Sequence, residues 1–70
     1  MVYIVIEIQS NNETAATIVN SYTDKNEAES KFHQILSAAA TSNVPTHSAV
    51  LFTDRGKSLK DETYLHNIEE

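Results

Sequence analysis

An α+β fold, a four-stranded antiparallel sheet with one helix packed on one face, is what this 70-residue chain predicts. Three observations predict it. Apolar, β-branched runs stand on either side of a single Ala-rich amphipathic stretch, turn-forming residues separate the segments, and cysteine is absent. The element order read from these is β-β-α-β-β.

Val2 to Gln9 opens the series, rich in Val and Ile and apolar on both sides, the pattern of a strand covered on both faces. Ser10-Asn11-Asn12-Glu13 favours a turn, and Thr14 to Tyr22 returns as a more polar strand, making a hairpin. Asn12-Glu13-Thr14 also fits a glycosylation acceptor, but in a chain with no secretory signal it reads as a turn.

At Thr23 to Glu27 the period changes. Asp24 is placed to cap a helix, with Glu27 three residues on and Lys31 a turn beyond Glu27. Ala28, Phe32, Ile35, Leu36 and Ala39 form one apolar stripe, while Ser30, Gln34, Ser37 and Thr41 form the opposite face. Pro45 disfavours helical geometry at Val44 and predicts an end near Ser42-Asn43. Thr46 to Thr53 alternates again, Asp54-Arg55-Gly56-Lys57 turns, and about Ser58 to Tyr64 forms a charged edge strand. Residues 1–65 make one domain and 66–70 a short acidic tail.

A helical crossover passing over the first strand gives the strand order 2-1-3-4 and puts the most apolar strand in the middle. One helix then faces a sheet with two apolar sides. Setting Ile4, Ile6, Ile8, Val50 and Phe52 beneath the helix sends Tyr3, Val5, Val19, Ala49 and Leu51 to an oligomer interface; the opposite assignment exchanges the sets and keeps the consequence. A chain of this length buries only roughly 60 to 65% of its unfolded surface, and with no disulfide or zinc pattern, self-association is the remaining supplement.

Charge narrows the partners. Ten Asp and Glu against five Lys and Arg give a net −5, and the cations form no run able to follow a phosphate backbone, so direct nucleic-acid binding is not expected. No targeting segment precedes the first strand and no apolar stretch approaches a membrane span, which predicts a cytoplasmic protein.

The chemistry-bearing residues are few. His33, one turn after Glu29, reads as half of an ordinary surface pair; His47 is placed near the helix's final carbonyls; His66 falls in the solvated tail. Their spacing fits no local metal pair, and with a single Gly there is no phosphate-cradling loop or nucleophile elbow, so neither a catalytic site, a metal nor a cofactor is expected. Ala38 to Ala40 permits close packing on the sheet, and the polar stretch after it places Ser42, Asn43, His47 and Ser48 at a shallow contact site. Arg55 and Tyr64 add charge pairing and stacking for a nucleotide-like ligand held between subunits.

Ile4 to Gln9, Asn26 to His33 and Ala38 to Ser48 resemble small proteins of phages and prophages in Gram-positive bacteria, over nearly the whole chain. The resemblance has no activity attached to it. It implies a virion accessory or an inhibitor of a host function or defence system; joined to the second apolar face, it gives the first expectation, a non-catalytic homo-oligomer that binds a host or phage protein, as such an inhibitor. Two alternatives stand beside it: a sponge for a nucleotide-like signalling molecule, and an acidic nucleic-acid mimic or virion accessory.

Overall fold

The computed structural model describes residues 1–11 and 13–66. Its elements run β1 (Tyr3–Ser10), β2 (Ala15–Tyr22), α1 (Lys25–Ala40), β3 (Thr46–Thr53) and β4 (Ser58–Leu65). The four strands form one antiparallel sheet in the order β2-β1-β3-β4 with α1 packed on it, as the sequence predicts. The final residues, 67–70, lie outside the described part of the chain.

The turns follow from side chains that compete for backbone donors. Asn11 Oδ1 accepts from the Glu13 and Thr14 amides, at 3.1 and 2.9 Å, and closes the first hairpin. Asp24 Oδ1 accepts from the Asn26 amide at 2.9 Å and starts the helix. The helix stops at Ala40, two residues before Ser42, with Thr41 as its C-cap. Gly56 has φ +81° in the β3–β4 turn, where a side chain would be strained. Between Leu51 and Phe52 the β3–β4 register shifts, so Leu59 of β4 bulges, a feature that blunts an exposed edge.

The register decides which side chains lie under the helix. Val5, Ala49 and Leu51 pack with Ala28, Phe32 and Ile35 as the core, with Tyr3, Tyr22 and Leu36 against it. The face assignment that puts Ile4, Ile6, Ile8, Val50 and Phe52 beneath the helix is therefore corrected. Tyr3, Val5, Ala49 and Leu51 are core, not oligomer interface: Val5, Ala49 and Leu51 are 0% exposed. Small Ala49 opposite Glu7 and Leu51 opposite Val5 let the helix approach closely, its own Ala28 and Ala39 fully buried. Val19 alone of that set is on the open side, 60% exposed.

Candidate functional site

Three places hold the side chains able to do chemistry or bind. The first lies at the far end of the sheet, where β1 ends and β3 begins. Gln9 pairs with His47 and Glu7 with Ala49 across β1 and β3, so Glu7 and His47 are diagonal neighbours on the helix side. His47 Nε2 donates to Glu7 Oε2 at 2.6 Å, and Gln9 Nε2 donates to the same oxygen at 3.0 Å. The carboxylate can only accept, which assigns the proton to Nε2. His47 is buried, and its Nδ1 has no hydrogen-bond partner among the described residues.

This corrects the expected role of His47. The histidine at the helix end is His66: its Nε2 donates to Ala39 O at 2.6 Å, and its amide donates to Pro45 O at 2.8 Å. Ala39 O, which also accepts from the Ser42 amide at 3.2 Å, thereby gains a second donor at the helix end. His66 is half-buried and its ring is stacked on Tyr64, centroids 6.1 Å apart, so it is part of the fold and not a solvated tail. His33 is exposed and meets the edge of Phe32, while Glu29 pairs with Lys60 at 3.8 Å.

The contact residues expected to converge do so only in part. Ser42 and Asn43 follow the helix C-terminus, where Ser42 Oγ accepts from the Val44 amide at 3.0 Å. Tyr64 is opposite His47 across β3 and β4, so these four lie at one end of the molecule. Ser48 is on the other face of the sheet, where its hydroxyl meets that of Thr63 at 3.0 Å. Arg55 lies in the β3–β4 turn, roughly 25 Å along the strand from His47 at about 3.3 Å per residue. Beside Gln9, an open groove of about 270 Å³ runs between the first hairpin and Val44-Pro45.

The second place is the open face of the sheet. Register puts Ile4, Ile6, Ile8, Val19, Val50 and Phe52 there together. Among the paired positions of that face only Asp61, on the edge strand, is charged. A sheet surface built for water alternates polar side chains with the core residues; here the β1 row that faces away from the helix, Ile4, Ile6 and Ile8, is entirely apolar.

The third place is the turn end, where Arg55 and Lys57 stand near Lys25 and Tyr3 around a hollow of about 320 Å³. Sequence reasoning singled out Arg55 but missed its grouping with Lys57, two residues on in the same turn, and with Lys25, which is distant in the chain and reaches this end at the start of α1.

Among the described residues, no three His, Cys, Asp or Glu side chains gather as a metal site requires, and no helix is long and apolar enough to cross a membrane. No protein-family model, curated protein or solved structure matches the chain.

Proposed function

We propose that this chain is a small, non-catalytic binding protein of phage type that works as a homo-oligomer. Its open sheet face closes on a second copy, and its remaining surface engages a host or phage protein, with inhibition of a host function or defence system as the outcome. One observation carries the reading: six large apolar side chains share an uncovered, nearly uncharged face.

The area supports a second copy as the occupant. Strands of eight residues in a four-stranded sheet make a face of about 26 by 19 Å, so two such faces bury about 1,000 Å², near the lower bound of a specific interface. An apolar face with no charged centre is complementary to itself under a two-fold axis. Face-to-face sheets about 10 Å apart would interdigitate Ile6, Val50 and Phe52. A binding role, as opposed to catalysis, is favoured by the place of the one Glu-His pair among the described residues: on the helix side of the sheet the His47 side chain is 4% and the Glu7 side chain 15% exposed, which leaves a substrate little access to either.

Two adjacent residues on opposite faces of β2 give the test. Val19 is on the open face and Ile18, 52% exposed, on the helix side. Val19→Asp is expected to reduce the light-scattering mass to 7.8 kDa with an unchanged far-ultraviolet spectrum, because an unpaired carboxylate buried at the interface costs several kcal/mol, at least ~100-fold in affinity. Ile18→Asp is expected to leave the assembly intact. The reverse pattern, or an assembly indifferent to both, contradicts the face assignment.

A further inference from the structure

We infer that the hollow at the β3–β4 turn end is a binding site for a phosphate-bearing small molecule of mononucleotide size. It lies within one chain, not between subunits, and is independent of the dimer proposed above.

The chain has five Lys and Arg against ten Asp and Glu, yet three of those five cations, Lys25, Arg55 and Lys57, line this one hollow, and no carboxylate lines it. That segregation is the reverse of the chain's overall charge. None of the three forms an ion pair within 4 Å among the described residues, whereas Lys60, outside the positively charged group, pairs with Glu29. The neighbouring acids are turned to other work or to solvent: Asp24 caps the helix through its Oδ1, and Asp54 is exposed in the turn. Three exposed cations around one hollow, none of them in an ion pair within 4 Å among the described residues, favour a polyanion there.

The framework beneath them is built. Thr53 is buried, and its Oγ1 accepts from the amides of both Arg55 and Lys57, at 3.3 and 3.4 Å. The Thr53 amide donates to Lys57 O and the Gly56 amide to Thr53 O, both at 2.9 Å, so the backbone bearing the two cations is fixed before any ligand arrives. The Asp54 amide donates to Val2 O at 2.9 Å and ties the turn to the start of β1. Arg presents a planar fork suited to phosphate oxygens, and the two Lys supply point charges around it. Met1, Tyr3 and Leu59 complete the lining, and the Tyr3 ring and the Leu59 side chain are able to pack against a base or a similar flat group. The volume, about 320 Å³, is within the range of small-ligand pockets. Tyr3 and Thr53 point to the helix side, so the hollow stays open when the other face is covered.

Titration of the isotope-labelled full chain with ADP, pyrophosphate and adenosine, followed through amide chemical shifts, tests the assignment. ADP is expected to bind below ~1 mM at low salt, with the largest shifts at Lys25, Thr53, Arg55, Gly56 and Lys57. Pyrophosphate should bind at the same amides more weakly, and adenosine more weakly still. Arg55→Ala with Lys57→Ala should weaken ADP at least tenfold without changing the fold, since both side chains are exposed, and raised salt should weaken it further. Absence of ADP binding at ~1 mM, shifts centred elsewhere, or affinity unchanged in the double variant overturns the site. Pyrophosphate binding as tightly as ADP overturns the part assigned to Tyr3 and Leu59.

Discussion

Phe32→Ala is expected to lower the stability of this protein by about 3–5 kcal/mol, the largest effect of any single truncation. Phe32 is 2% exposed and is the largest fully buried side chain, set against Val5, Ala49 and Leu51. Only four helix residues are fully buried, and two of them, Ala28 and Ala39, have no side chain to lose beyond a methyl. Phe32 and Ile35 therefore supply most of the apolar volume by which the helix holds the sheet. A domain of this length has a total stability of roughly 4–10 kcal/mol, so the loss leaves a substantial unfolded population at room temperature. Urea unfolding at fixed protein concentration checks it; a shift under about 1 kcal/mol would mean that Phe32 does not anchor the helix.

The second large effect comes from polar burial. His47→Leu removes the imidazole that holds Glu7 Oε2 and leaves that carboxylate, whose side chain is 15% exposed, with Gln9 as its remaining partner among the described residues. The expected cost is about 3 kcal/mol, because a buried charge stripped of its partner keeps its desolvation penalty. Glu7→Met combined with His47→Leu is expected to recover most of that loss, since two apolar groups of similar shape leave nothing unsatisfied. Chemical denaturation of the two variants beside the parent checks both expectations, and Glu7→Met alone completes the cycle that gives the coupling. If the double variant is no more stable than the single one, His47 contributes through shape and not through the carboxylate.

The strands, the helix and their order were legible because each is marked locally. β-branched runs, Asn11 and Asp24 as competitors for backbone donors, Pro45 as a helix stop and Gly56 as the left-handed turn residue each act on residues a few positions away in the chain. The side of the sheet that receives the helix was not legible in the same way. In β1 both parities are apolar, and the uninterrupted Ile4, Ile6, Ile8 row looks more like a core than a row broken by Glu7 and Gln9. The tie is broken by a contact between distant residues: on the helix side Glu7 Oε2 is held by His47 from β3 as well as by Gln9. Writing the antiparallel register of β1 and β3 beside the sequence would have placed Gln9 against His47 and exposed that pairing. The polar contact site was half legible for a similar reason. His47 and Ser48 are neighbours in the chain, but period two sends them to opposite faces, and Arg55 is a strand's length away. The basic hollow had no sequence signal, since Lys25 meets Arg55 and Lys57 only after the helix start is laid beside the last turn.

Contacts between copies of the chain test the central claim most directly. In an equimolar mixture of carbon-13-labelled and unlabelled protein, isotope-filtered nuclear Overhauser spectra are expected to show cross-chain contacts from the methyl groups of Ile4, Ile6, Val19 and Val50 and from the ring of Phe52. Val5 and Leu51, buried beneath the helix, should show none. A spectrum without cross-chain contacts from the open face, or with contacts confined to the edges of β2 or β4, would contradict the account.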